Sequence, residues 1–292
     1  MLLIVLLYCI IALTFVFAKD AVLVSSPVFF IAIRMILAAG LLFLSEYIQK
    51  RKIALPQKSD AWLFLVVSLL HIYIPFVGEF WALQYLDALK VNFLFALTPF
   101  FAVTIEALHN KKLPALRTVS GIIIGFCALI FLLIIKDQGS LFTTMEYLST
   151  LSLPEFVLLC SVISATTAWF FIKQLTKERY TIVSINAWCM LFGGLLSFMT
   201  SYFFEEIQII NYTEFVKNLF LLIVLSNVLF YNLYGKLLQK YSMTLLTATG
   251  FLSPFFGILF EGIITRTMPN HLYFISLLFV ALGLYFVAKD SK

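Results

Sequence analysis

What most limits how this chain can fold is a succession of apolar runs, each long enough to cross a lipid bilayer. A helix rising ~1.5 Å per residue needs about 20 mostly apolar residues to span ~30 Å of hydrocarbon. On that criterion runs lie near 2–18, 27–48, 61–83, 88–108, 118–135, 155–175, 181–204, 215–236, 243–264 and 271–287. Backbone groups in lipid must be satisfied within their own segment, so each run is expected to be an α-helix.

The composition agrees. The chain is 62% hydrophobic and 12% charged, with a mean hydropathy of +1.03. A soluble domain carries roughly 25% charged residues, so most of this surface must face something apolar. The net charge of +5 lies in short basic clusters between the runs rather than in a stripe or tail. That pattern orients a protein in a bilayer and excludes nucleic acid as a partner. Cys9, Cys127, Cys160 and Cys189 all fall inside apolar runs, where they read as small buried hydrophobes rather than a disulfide or metal set. Val16-Phe17-Ala18 imitates a signal-peptide cleavage site, but no basic residue precedes it. The first run is therefore expected to be a span.

Placing the 2–3, 4–5, 6–7 and 8–9 loops with both termini on one side gathers Lys50, Arg51, Lys52, Lys58, Lys111, Lys112, Arg117, Lys173, Lys177, Arg179, Lys236, Lys240, Lys289 and Lys292 there. The other side keeps Lys19, Lys90, Lys136, Lys217 and Arg266, a division of fourteen to five. The positive-inside rule then makes both termini cytoplasmic, and the expected location is the cell's inner membrane.

An internal repeat is visible at an offset of 155 residues. Leu97-Thr98-Pro99-Phe100-Phe101 falls on Leu252-Ser253-Pro254-Phe255-Phe256, Glu106 on Glu261, Pro114 on Pro269 and Leu83-Gln84 on Leu238-Gln239. At an offset of 154, Lys19 falls on Lys173 and Ala39-Gly40 on Gly193-Gly194. Apolar matches are cheap; paired prolines, glutamates and glutamines in one register are not. The expected organisation is a first repeat over 1–136, a connector over 137–154 and a second repeat over 155–292. Five spans is an odd number, so the second repeat enters the membrane from the other side. The fold class is thus an all-α membrane protein of about ten transmembrane helices in two inverted five-helix repeats. Pro99 and Pro254 lie near the middle of spans four and nine, where each removes a backbone hydrogen bond. Broken helices at matching positions point to a transport path, or else to a packing kink.

The Ala82-to-Tyr85 and Thr98-to-Phe101 runs, Ser253 to Phe256, and Pro27 followed by Ala32-x-Arg34 resemble the drug/metabolite transporter superfamily, EamA type. The resemblance covers essentially the whole chain and implies a ten-helix secondary transporter. That family usually has Gly-Glu after each kinked helix, where Lys111-Lys112 and Arg266-Thr267 stand here. Its members move amino acids, purines, drugs, nucleotide-sugar-like molecules or S-adenosylmethionine.

Ionisable groups within a span cost about 2.5–3.5 kcal/mol on insertion scales, so each needs a reason. His71 lies deep in span three and either bonds another helix or lines a cavity. Glu79 follows at i+8 on nearly the same face and is suited to meet a cation or proton. Arg34 sits roughly 10 Å of helical rise inside span two, where it either snorkels outward or pairs with Glu79. Glu106 and Glu261 follow their prolines by seven residues and are either symmetric gate elements or interfacial carboxylates. Asn amides are hard to satisfy locally in lipid and should face protein or a cavity. The candidate substrate-binding or translocation residues are His71, Glu79, Trp81, Asn92, Trp169, Asn186, Trp188, Asn227 and Tyr231. A cavity lined by spans three, six and eight is expected to hold them.

Zinc-protease, nucleophile-elbow and phosphate-loop motifs do not occur, and the five aspartates are scattered. No enzyme, cofactor or metal is expected; an intramembrane enzyme or a non-transport subunit is the rival class. The expected function is alternating-access transport of a small polar metabolite, by a monomer or homodimer in contact with membrane lipid. One deep carboxylate, an imidazole and a single deep arginine disfavour strongly anionic phosphate esters. They favour a zwitterionic or cationic metabolite. The chain is similar in this respect to family members that exchange S-adenosylmethionine for S-adenosylhomocysteine, with export of neutral amino acids or drugs as the alternative.

Overall fold

The computed structural model describes residues 2–86, 88–137, 146, 149–178, 180–266 and 271–290. Among them, ten helices are long and apolar enough to cross a membrane: α1 (Leu2–Val24), α2 (Pro27–Lys50), α3 (Ala61–Ala82), α4 (Lys90–Asn110), α5 (Leu116–Ile134), α6 (Leu153–Thr176), α7 (Ile182–Phe204), α8 (Tyr212–Leu238), α9 (Met243–Phe260) and α10 (His271–Lys289). Most of the 137–154 connector lies outside the described residues.

The core is apolar, as in a water-soluble protein, but so is much of the exterior. Large apolar side chains such as Trp62, Phe204 and Leu278 face outward, while Arg34, Glu46, His71, Asn186, Asn218 and Asn227 are buried. An apolar exterior loses nothing in lipid, and polar groups gain only where they meet protein.

Contacts between loops sort the chain into two ends. Ser26 N donates to Gln208 O at 3.0 Å, joining the α1–α2 and α7–α8 loops. Lys90 and Glu155, both buried, form an ion pair at that same end. At the end carrying both termini, Tyr180 Oη donates to Asp60 Oδ2 at 2.7 Å. Two carboxylates lock α2 to α7, which lie along each other for most of their length. Glu205 at the end of α7 accepts Val28 N and Phe29 N at 2.9 Å each, meeting the orphan amides of the α2 N-terminus. Glu46 near the end of α2 accepts from Thr181 Oγ1 at 3.4 Å beside the α7 N-terminus.

Small residues set the closest approaches. A Cβ on Gly283 would lie 2.5 Å from Gly121 O and 2.9 Å from Gly125 N, so α5 and α10 touch backbone to backbone.

The structure departs from the sequence reading in two ways. The first helix runs to Val24 rather than residue 18, so Lys19 and Asp20 are helical. Lys19 is not a loop cation: its Nζ donates to Leu83 O at 2.6 Å and Leu86 O at 3.2 Å, capping the far end of α3. Second, four spans are interrupted rather than two. Helix α3 widens into a π-helical turn at Leu69–Tyr73, just before Pro75, which has no N–H to continue the α ladder. Helix α8 does the same at Ile223–Phe230 without a proline. There Asn232 Nδ2 donates to Val228 O at 2.8 Å and Asn227 O at 3.3 Å, satisfying carbonyls that the wide turn frees.

Candidate substrate cavity

Pro99 and Pro254 each occupy the first turn of a new half-helix, Thr98–Asn110 within α4 and Ser253–Thr265 beginning within α9. The break at 96–97 and the 3-10 turn at Gly250–Leu252 precede them. Proline suits that position because its missing N–H would be unpaired there anyway. Thr98 Oγ1 donates back to Phe95 O, and Ser253 Oγ is buried with no partner.

These breaks face a cavity with about 1020 Å³ of empty volume, part of it continuous with solvent. Its walls come from α1, α2, α3, α4, α6, α8 and α9, so it lies between the two halves of the chain. Of the residues singled out in the sequence, Arg34, Glu79, Asn92, Trp169, Tyr231 and Pro254 line it.

Arg34 is buried, 1% exposed. Its Nε donates to Asn227 Oδ1 at 2.8 Å, and its guanidinium carbon lies 4.9 Å from the centre of the Phe76 ring. The other end of the Asn227 amide faces Met35 Sδ at 3.1 Å and Met190 Sδ at 3.6 Å. Those weak acceptors leave the amide oxygen turned to the arginine. Among the described residues, Arg34 and Glu79 share the cavity without forming an ion pair, and the Glu79 carboxylate has no hydrogen bond. The aromatic wall is continuous: Trp169 lies 5.5 Å from Tyr231 and 4.3 Å from Tyr234 between ring centres.

The remaining candidates stand elsewhere. His71 does not line the cavity; it sits behind the wall, 4.5 Å from Trp169 and 4.9 Å from Tyr231. Both its nitrogens are buried without a partner, and Asn186 stands beside the ring without reaching hydrogen-bond geometry. Asn186 Nδ2 donates to Asn232 Oδ1 at 3.1 Å, tying α7 to α8. Trp188 Nε1 donates to Ala54 O at 2.8 Å and so anchors the α2–α3 loop. Trp81 packs on Tyr85, 4.9 Å between centres. Glu106 accepts Met243 N at 2.9 Å, Thr244 N at 3.2 Å and Thr244 Oγ1 at 2.6 Å, capping the start of α9. The Glu261 side chain lies outside the described residues.

One whole wall was not anticipated. Tyr8, Ile11, Phe15 and Ala18 of α1 line the cavity. Their spacing of i, i+3, i+7 and i+10 puts them on one face, and Tyr8 with Thr14 is the polar signal that marks it.

A model of the EamA-like transporter family matches residues 1–134 and again residues 152–289. The chain belongs to the EamA-like transporter family. It is a multi-pass membrane transporter with a small-molecule substrate, not an enzyme. Among curated proteins it is 26% identical to an S-adenosylmethionine/S-adenosylhomocysteine transporter of Chlamydia muridarum, over 89% of this chain and 83% of that one. The protein of the same name from Chlamydia trachomatis serovar L2 is also 26% identical, over 89% of this chain and 80% of that one. An uncharacterized transporter of Bacillus subtilis, YoaV, is 27% identical over 64% of this chain and 61% of its own. A solved crystal structure superposes with a TM-score of 0.76 at 13% identity, covering 99% of this chain and 95% of that one, which shows the fold.

Proposed function

We propose that this EamA-like protein is a secondary carrier that exchanges S-adenosylmethionine for S-adenosylhomocysteine across the cell's inner membrane by alternating access. The observation that carries this reading is the Glu79 carboxylate, which makes no hydrogen bond or ion-pair contact among the described residues, in one cavity with the Trp169–Tyr231–Tyr234 wall. A sulfonium is attracted both to a carboxylate and to aromatic faces, and an adenine ring stacks on such a wall. The names of the Chlamydia relatives point to the same substrate.

Alternating access rests on the two halves. The same family model matches each, five spans apiece would place them in opposite orientations, and a cavity between such halves is opened by rocking one against the other. In this arrangement residues 1–136 and 155–292 are the moving repeats, and the excess of basic residues at the end carrying the termini, fourteen to four once Lys19 is counted within α1, sets both termini in the cytoplasm. Glu106 then closes the cytoplasmic end by tying α4 to α9. The residues taken to contact substrate are Glu79, Asn92, Trp169 and Tyr231, with Pro99 and Pro254 forming the hinges.

The test is counterflow. Proteoliposomes preloaded with S-adenosylhomocysteine should take up labelled S-adenosylmethionine faster than empty ones, and S-adenosylhomocysteine outside should compete. Absence of uptake by correctly inserted protein removes this substrate. Uptake indifferent to preloading makes the protein a uniporter or pore and removes exchange. A neutral amino acid or drug that is transported instead would identify the other branch of the family as the right one.

A further inference from the structure

The cavity holds a second charge, Arg34, which interacts electrostatically with Tyr231 and Glu79 but makes no ion-pair contact among the described residues. Arg34 is buried in the α2 wall, and a guanidinium has five N–H donors. One of them is taken, by Asn227 at 2.8 Å, and the Phe76 ring covers one face of the group. Asn227 itself is held by α2 and α7 through Met35 and Met190, so the guanidinium is fixed in direction as well as in place. Glu79 forms no ion pair with it, although both line the same space. An arginine that served only to neutralise Glu79 would reach it; the stem is long and the cavity is open. What remains is a preset pair of opposite charges that interact across the cavity without an ion-pair contact among the described residues. Buried charge of that kind needs a matching group from a ligand.

We propose that Arg34 anchors the carboxylate of the transported molecule while Glu79 faces its cationic part, so that the cavity selects substrates with an amino-acid head group. This rests on the carrier reading above and narrows its substrate class. The terminal N–H groups of Arg34, which make no hydrogen bond among the described residues, form the fork that takes a carboxylate through two parallel bonds. Asn227 is a positioning residue: it occupies Nε, turns the fork inward and touches no substrate.

The test compares acids with their decarboxylated amines. Binding to purified protein is followed for S-adenosylmethionine against decarboxylated S-adenosylmethionine, and for L-phenylalanine against phenethylamine. In the wild type, loss of the carboxylate should weaken binding at least tenfold for whichever pair binds. Arg34→Gln should bind acid and amine equally, Arg34→Lys should keep part of the discrimination, and Asn227→Leu should reduce the ratio at least threefold. Glu79→Gln should weaken both members of a pair together. Wild-type protein that binds acid and amine within twofold of each other overturns the assignment, and so does binding of neither acid. Discrimination at the wild-type ratio in folded Arg34→Gln or Arg34→Lys overturns it as well. The two readings fail separately. Phenylalanine bound with full discrimination while S-adenosylmethionine is ignored would sink the exchange reading and keep the anchor. S-adenosylmethionine transported at the wild-type rate by Arg34→Gln would do the opposite.

Discussion

Removing the Glu106 carboxylate should open the end of the protein that carries both termini. In the structure that carboxylate accepts two amides and one hydroxyl from Met243 and Thr244. It thereby ties the last turns of α4 to the first turn of α9, between the two halves. Capping an exposed helix start contributes about 0.5–2 kcal/mol, and hydrogen bonds to a charged group sit at the upper end of the usual range. Glu106 is half-buried, so the freed amides of a Glu106→Ala variant would partly rehydrate; a net loss of about 2 kcal/mol is reasonable. If the contact exists only when this end is closed, the closed-to-open ratio falls by that whole amount, roughly thirtyfold at 1.4 kcal/mol per factor of ten. Thr247 lines the cavity one turn further along α9. The assay places a single cysteine there, Thr247→Cys, after replacing Cys9, Cys127, Cys160 and Cys189 with alanine. A membrane-impermeant maleimide is then applied from the side of the termini. Labelling should accelerate by an order of magnitude or more in Glu106→Ala, and less in Glu106→Gln, which keeps one acceptor oxygen. A labelling rate unchanged within twofold, in a variant that still folds and inserts, would refute the idea that this contact holds the end shut.

Lys111 and Arg266 cap their helices with φ of 51° and 56°, in the left-handed region. Replacing either with glycine should stabilise the protein in detergent by about 1 kcal/mol each, read as a higher thermal midpoint; a lower midpoint would contradict the strained caps. Gly283→Ala should force α5 and α10 apart at about 1–3 kcal/mol, seen as less monodisperse protein on size exclusion. Gly40→Ala, with nothing within 4 Å of the new methyl group, should be neutral. Trp188→Phe removes the bond to Ala54 O and should lower thermal stability by about 1 kcal/mol while leaving the substrate KM unchanged. A changed KM would place Trp188 in the binding site.

The spans were legible because length and hydropathy alone determine what crosses a bilayer. The first boundary was missed for a physical reason: Lys19 looks like the end of a span, but its ammonium is satisfied by the carbonyls of Leu83 and Leu86 and the helix continues. Depth could likewise be read from the sequence, while direction around the helix axis could not. His71 is as deep as expected, yet its ring is turned into the packing behind Trp169 and Tyr231. Trp188 and Asn186 are polar-tipped residues in a span, as predicted, but each is spent on holding elements together. The π-helical turn of α8 has no proline to announce it. Only the spatial approach of the Asn232 side chain to the Asn227 and Val228 carbonyls reveals how it is tolerated.

The two halves share their scaffold devices and differ in their charges. Lys111 and Arg266, 155 residues apart, adopt the same left-handed cap. Pro99 and Pro254 begin the same kind of half-helix. The π-helical turns at Leu69–Tyr73 and Ile223–Phe230 overlap at that offset. Lys19 donates to Leu86 O and Lys173 to Tyr241 O, two carbonyls separated by the same interval. At the cavity the correspondence ends. Glu79 stands opposite Tyr234 in the repeat, and Arg34 opposite Trp188 at the offset that aligns the second and seventh spans. That division follows from what each part must do. On the proposed carrier reading, hinges and caps act twice, once in each half, so both halves keep them. A bound molecule has one orientation in a cavity between the halves, and a group with unlike ends needs unlike walls. If the proposed carrier reading holds, charge asymmetry at repeat-related positions is where its substrate is written, and in this chain the asymmetric pair is Arg34 and Glu79.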